Sequence, residues 1–600
     1  MRSLGTLALV VLVAGTTPAP GAGPQTAPQA SRRVVFISFD SGADWVADKL
    51  IAAGKAPALA AVARDGAQAD GMVSVIPSLT AVAHASLWTG AFPRVHGATD
   101  NRMPRTPPAE HTILDARSGY LSDVLRAEPI WETAARHGKR VLVMQATQGY
   151  PFRNRYPDLV TQFDVYANEL RRSDLAWVSW PRGGTAVLRV GETALTVAPG
   201  ERGVTLAGLE PPVTLSAGGP FSPPVRVRVG GRDGLTRIGL LEYLPGDRRA
   251  RLMHGDVTEL VSTDAGARDA LLAEAGITVG ESGSPHYHSG DFGTPIAEGG
   301  DGTAERLLVH TTLANQQYFD GVLRYAARQQ WDLLVLYVPN MDVAGHALGG
   351  MLDPDTPGHD PALAARIWPY YEQLFKACVD DYVAAMRRLL PDATIVMGAD
   401  HGVEGNLRLW YPNTALRNAG LLATTANGQI DLARTQAAFL YSHGGGVFVN
   451  TTRYKDGIVA AGDRATVKAA VRRALLSARD PDTGEPLVRA VFDTDLDGEA
   501  LGVGGEVSPD LYFDSTPGVA ASAAANRNEL ARPTSKVGLG AHGPFPTRRR
   551  LHGIFYAVGP GVRAGARPGL VRQVDAAPTA AHLLGIPPPA HASGRALPLD

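Results

Sequence analysis

The stretch VVFISFDSGADW, residues 34–45, decides the fold: a run of apolar and β-branched residues stops on an aspartate, Asp40. Such a short apolar run reads as an interior strand of a parallel sheet, buried on both faces. Ligands of open α/β sheets bind just beyond the carboxyl ends of strands, so an acid in that position is a candidate site residue, although turns and helix caps use aspartate too. Four further runs have the same character: RVLVMQAT (140–147), DLLVLYVP (332–339), ATIVMGAD (393–400) and HGIFYAVG (552–559). Helical patterns lie between them, among them LSDVLRAEPIWETAARHG and ALAARIWPYYEQLFKACVDDYVAAMRRLL. Strand alternating with helix predicts an α/β fold with a doubly wound, mostly parallel sheet covered on both sides.

The chain of 600 residues is long enough for a large domain with an accessory one. Short alternating segments split by Gly and Pro, such as TAVLRV, GVTLAG and VRVRVGG, predict a β-rich insertion over 180–302, between core segments 33–179 and 303–600. Lys+Arg number 57 against 59 Asp+Glu, a net charge of −2, which provides no field for capturing nucleic acid or an anionic membrane. The start, MRSLGTLALVVLVAG, reads as a secretory signal over 1–23, followed by a Pro/Ala-rich disordered lead over 24–32. No later apolar run has spanning length. A single cysteine, Cys378, excludes an internal disulfide. Together these features predict an exported, periplasmic or secreted protein, with bacterial composition.

Acids and imidazoles gather where the strands end. Asp40 closes the first run, Asp342 and His346 follow the third in PNMDVAGHALGG, and Asp400 and His401 close the fourth in MGADHGV. His542 lies ahead of the last run in LGAHGPFP. Three carboxylates and three imidazoles at one sheet edge must repel one another or be neutralised, and N/O ligand sets of this kind suit two divalent ions, zinc or alternatively manganese. Thr80 is expected at the start of a helix ending near Gly90, where free N–H groups favour an anion; Ser78 is its nearest rival as a nucleophilic hydroxyl.

FISFDS, PSLTAVAHASLWTGAFPRVHG, DVAGH, ADHG and AHGP occur in an order and spacing that resembles the type I phosphodiesterase/nucleotide pyrophosphatase family of the alkaline phosphatase superfamily. The resemblance implies a sheet of alkaline phosphatase type, one metal held by Asp342, His346 and His542, and a second held by Asp40, Asp400 and His401 with Thr80 bound to it as alkoxide. It further implies attack by Thr80 on phosphorus through a phospho-threonine and a small phosphate ester as substrate. It also leads to an asparagine three residues after the nucleophile contacting the phosphate, where this chain has Ala83 followed by His84. Asn101 and the arginines of GYPFRNRYPD, Arg153 and Arg155, are then the candidates to reach the substrate. Phosphomonoesterase or phosphonate hydrolase activity is the alternative within the superfamily. A non-catalytic envelope binding protein on the same fold is the alternative outside it. No G-x-S-x-G or Walker-type glycine loop is present.

Overall fold

The structure, a computed structural model, describes residues 32–600 except 282, 442, 443, 445, 535–538 and 544. The signal-like segment 1–23 and the lead up to residue 31 lie outside the described residues. The central sheet has eight strands: β1 (Arg33–Phe39), β2 (Ala67–Gln68), β3 (Val141–Met144), β4 (Val160–Asp164), β5 (Val261–Ser262), β6 (Leu333–Val338), β7 (Ala393–Gly398) and β8 (Phe555–Val558). Their order is β5-β4-β3-β6-β1-β7-β8-β2. The five strands β4, β3, β6, β1 and β7 run parallel. β5 pairs antiparallel with β4, β8 with β7, and β2 with β8.

β1 is central, with Phe36 level with Val335 of β6 and Val396 of β7. Side chains of successive residues point to opposite faces of a strand. Val35, Ile37 and Phe39 accordingly pack in one layer with helices Asp44–Ala52, Pro57–Asp65 and Thr303–Ala327. Val34 and Phe36 pack in the other, with Leu87, Trp88 and Trp131 and with helix Ala576–Leu584. Both faces being covered explains why β1 shows no polar alternation before Asp40. The architecture is the doubly wound, mostly parallel α/β sheet expected from the sequence. β4 is a strand that the sequence reading left out, since VTQFD mixes Gln162 and Asp164 into a short segment.

Between β4 and β5 the chain builds three small sheets. One comprises Ala186–Val190, Thr193–Pro199, Gly203–Ala207 and Val213–Ser216. A second pairs Ile238–Leu244, Arg249–His254 and Asp174–Ser179, and a third contains Val225–Val229, Arg232–Thr236, Val257–Thr258 and Glu169–Arg171. In VRVRV, Val225 and Val227 are buried and Arg226 and Arg228 exposed, the period-2 pattern of a half-buried strand. The valines join Leu188, Val197, Leu206, Leu240 and Leu252 in one apolar cluster. Beyond β5 the segment up to residue 302 is mainly helical and irregular, with helices Ala265–Ala275 and Gly283–His288. Because the unit leaves from the carboxyl end of β4, which is parallel to β1, it stands at the same edge of the sheet as Asp40.

Candidate functional site

Three loops at that edge carry the acids. Asp40 follows β1 directly, and Asp400 follows β7 by one residue. Asp342 lies in the short helix Asn340–Ala344 after β6, and His346 follows one turn later in a π-helical turn, Gly345–Gly349, a geometry frequent at functional sites. His542 arrives from the far end of the chain, brought in because Leu539–Ala541 pairs with Glu404–Asn406, just downstream of His401.

The imidazoles are oriented alike. Nδ1–H of His346 donates to the carbonyl of Gly540 (2.8 Å), that of His401 to Gly402 (3.1 Å) and that of His542 to Ser78 (2.7 Å). A carbonyl can only accept, so each Nδ1 carries a proton and each Nε2 is turned toward the carboxylates, the orientation typical of metal-ligating histidine. His346 Nε2 lies 3.5 Å and His542 Nε2 4.0 Å from Asp342 Oδ1. His401 Nε2 lies 3.0 Å from Asp400 Oδ2 and 3.7 Å from Asp40 Oδ1. Two ligands at ~2.1 Å from one tetrahedral ion sit roughly 3.4 Å apart, which these spacings bracket. Ligand atoms of Asp40, Asp342 and His401 also fall within 4.8 Å of one another, so the two groups adjoin.

Asp40 Oδ1, Asp400 Oδ2 and His401 Nε2 are buried with no hydrogen-bond partner. Among the described residues no Lys or Arg pairs with Asp40, Asp342 or Asp400. Burial, then repulsion from Asp400 and Asp342, pushes the Asp40 carboxyl well above its usual range. Burial also acts to raise Asp400, but the imidazoles of His401 and His84 pull it below that range. Burial and the neighbouring His401 and His346 hold His542 well below the ordinary imidazole value, and therefore neutral. Buried polar atoms left unpaired are costly, and this donor set fits a pair of divalent cations.

Thr80 is the first residue of helix Thr80–Thr89, which is buried along its whole length. The helix ends at Gly90, whose φ of 67° and close approach to Pro578 both demand glycine. The N–H of Ala81 at the helix start is received by Asn101 Oδ1 (2.9 Å), so Asn101 stands beside Thr80. Both line a cavity of about 650 Å³ together with Asp40, Asp342, His346 and His542. An asparagine side chain thus stands beside Thr80 from another loop, whereas position 83 holds alanine. Ala83 itself is fully buried against Val75, Leu79, Val82 and Val574.

Arg153 and Arg155 are not brought to this cavity, contrary to expectation. Arg153 donates to the carbonyls of Ser122 (2.5 Å) and Leu125 (2.8 Å), and Arg155 to Glu132 Oε2 (3.0 Å). The reason is Glu132, a carboxylate only 6% exposed whose charge these two guanidinium groups offset. Ser78 donates its hydroxyl to the Gly543 carbonyl while its own carbonyl receives His542, which makes it a brace for the histidine loop.

Other contributors carried no signal of their own in the sequence. Ser41, with φ of 55°, donates its backbone N–H to Asp400 Oδ1 (3.0 Å) and its hydroxyl to Asp342 Oδ1 (3.1 Å), joining the acids of two strands. The Tyr337 hydroxyl donates to Asp40 Oδ2 (2.6 Å). His84, wholly buried, donates Nδ1–H to the Thr80 carbonyl (2.9 Å) and meets Ser38 Oγ through Nε2 (2.9 Å). Position 84 is one helical turn from Thr80, the only sequence cue to that contact.

The family description "Type I phosphodiesterase / nucleotide pyrophosphatase" matches residues 34–197 and 277–545, most of the chain. The chain belongs to that family. The unmatched stretch between the two segments coincides with much of the small-sheet unit. Among curated proteins, human ectonucleotide pyrophosphatase/phosphodiesterase family member 7 is 31% identical over 141 residues, which cover 23% of this chain and only 29% of that relative's length. Among solved structures, alkaline phosphatase PafA superposes with a TM-score of 0.50 at 13% identity, over 95% of this chain and 99% of its own, a likeness of fold. Murine ectonucleotide pyrophosphatase/phosphodiesterase 5, in complex with AMP, aligns at TM-score 0.46 and 15% identity, over 93% of this chain and 96% of that one. None of the described helices is long and apolar enough to cross a membrane.

Proposed function

We propose that this protein is an exported two-metal phosphodiesterase that works through a phospho-threonine on Thr80. The observation that carries the reading is the convergence, beside Thr80, of three carboxylates and three Nε2-presenting imidazoles with no Lys or Arg paired to them among the described residues. Asp342, His346 and His542 would hold one cation, and Asp40, Asp400, His401 and the Thr80 hydroxyl the other, zinc or manganese. Bound there, the pair supplies positive charge to the attacking and departing oxygens and favours the deprotonated hydroxyl.

Thr80 Oγ then attacks phosphorus in line with the leaving oxygen, forming a Thr80–phosphorus bond as the ester bond breaks and the departing alcohol takes up a proton. Asn101, its Oδ1 fixed by Ala81 N–H, turns its amide N–H groups toward a non-bridging oxygen. His84 and Ser41 hold the nucleophile helix and the acids in register. Water hydrolyses the phospho-threonine in the second half. The cavity of about 650 Å³ has room for an ester group besides the phosphate. The signal-like segment 1–23 supports export.

The test is to trap the intermediate at low pH and map the phosphorylated peptide, alongside Thr80→Ala, Thr80→Ser and Ser78→Ala. Thr80→Ala is expected to lose roughly 10³-fold or more in turnover with metal still bound, Thr80→Ser to keep part, and Ser78→Ala to be mild. Phosphate on Ser78, or full activity in Thr80→Ala, would overturn the assignment.

A further inference from the structure

The segment that leads to Thr80 is held at two points, and each hold adjoins one of the two ligand groups. Near its end, Ser78 bonds through its N–H and its hydroxyl to the Gly543 carbonyl, next to His542. Earlier, Met72–Val73 pairs in parallel with Val571–Arg572, which brings the following residues, Ser74 and Gln573, side by side. Gln573 is wholly buried and uses every donor and acceptor position it has. Its amide nitrogen donates to the carbonyls of Ala399 (3.1 Å) and Asp400 (2.8 Å), and its Oε1 receives the Ser74 hydroxyl (3.3 Å) and the Val75 N–H (3.4 Å). Two carbonyls demand N–H groups and a backbone N–H demands an acceptor, so the amide sits only one way round. Val574 beside it packs on Val75, Leu79, Val82 and Ala83, residues on either side of Thr80.

Resting on the two-metal reading above, we propose that Gln573 is a positioning residue that fixes the Thr80 segment at its working distance from the cation of Asp40, Asp400 and His401. Gln573 does not line the cavity and acts through two backbones, that of the ligand Asp400 on one side and that of Val75, five residues before Thr80, on the other. Hydrogen-bond partners behind a metal ligand hold its orientation and tune affinity by roughly tenfold or more. A nucleophile displaced by about 1 Å loses on the order of a hundredfold in rate. Two donors and a two-lone-pair acceptor on one planar group are found only in glutamine and the shorter asparagine, so no other side chain makes this crosspiece.

The experiment is a double-mutant cycle on zinc affinity, measured by chelator competition on the full-length protein, with kcat and KM for bis(4-nitrophenyl) phosphate alongside. Gln573→Met keeps the length of the side chain and removes all four bonds. It should lower kcat by roughly a hundredfold and leave KM within about threefold. Thr80→Ala should weaken one of the two zinc-binding steps by roughly tenfold in the wild-type background, and by less than about twofold once Gln573 is methionine, because the hydroxyl no longer reaches the ion. Should Gln573→Met not fold, Gln573→Asn, whose amide falls one methylene short of its partners, is held to the same criteria. An unchanged kcat with only a lowered melting temperature marks a purely structural residue and overturns the proposal, as does a Thr80→Ala effect on zinc that is equal in both backgrounds. Because zinc binding needs no turnover, coupling found in a protein that hydrolyses no diester sinks the phosphodiesterase reading alone. Diester hydrolysis without the coupling sinks this one alone.

Discussion

Two clusters of buried charge lie within a few residues of each other along the chain, and they differ in one respect. In the first, Glu404 and Asp514, each 7% exposed, are bridged by Arg548, which donates to Glu404 Oε1 and to Asp514 Oδ1 (2.6 Å). In the second, Asp40 and Asp400 face His401 with orphaned oxygens and, among the described residues, no guanidinium or ammonium. Burying a carboxylate costs several kcal/mol unless it is paired. The first cluster carries its counter-charge as a guanidinium in the sequence, whereas among the described residues the second has only imidazoles beside its carboxylates, which is why an external cation is proposed there. Burial alone does not mark a functional site; burial without a partner does.

The comparison can be broken at several points. The largest effect is expected from Asp342→Ala or His542→Ala, each of which removes one of three protein ligands and should bring diester turnover to background while leaving the circular dichroism spectrum nearly unchanged. Wild-type turnover in a variant shown to lack metal at that position would remove the role assigned to these residues. Arg548→Ala acts on the other cluster: stranding Glu404 and Asp514 should destabilise the protein by about 3–5 kcal/mol in denaturant unfolding, with or without added metal. A loss below ~1 kcal/mol would mean that these carboxylates find other neutralisation.

Asn101→Ala should reduce turnover by roughly a hundredfold with metal content unaltered, the usual consequence of losing one donor to the developing oxyanion. An unchanged rate would return the search to another donor around Thr80. The finest discriminator is Asp40→Asn, expected to change stability by about 1 kcal/mol with a sign that depends on metal. After chelation the substitution relieves repulsion from Asp400 and Asp342 and should raise the melting temperature. With metal bound it removes a ligand and should lower it. The same sign in both conditions would mean that Asp40 is not held by a bound cation.

Much of the sheet was legible because its inner strands are buried on both faces, which leaves continuous apolar runs such as VVFISF and LLVLYV. β4 escaped because it lies next to the edge and carries Gln162 and Asp164. The ligand-type residues could be read because strand ends are local features: Asp40 and Asp400 interrupt apolar runs, and Asp342 and His346 are four apart on one turn. Arg153 and Arg155 misled, since a guanidinium near a site in sequence goes to the nearest buried carboxylate, here Glu132.

The sequence by itself determined the alternation of strands and helices, the residue types available at the strand ends, and the family. Local patterning and short motifs suffice for those. Only the tertiary structure decided which strand lies beside which, that β8 runs antiparallel to β7, and that Asn101 rather than position 83 stands beside Thr80. It also decided that Glu169, Asp256 and Glu281 line the same cavity as Asp40. Those pairings join residues tens to hundreds of positions apart, and no periodicity or motif encodes such a distance; packing of the two layers around β1 does.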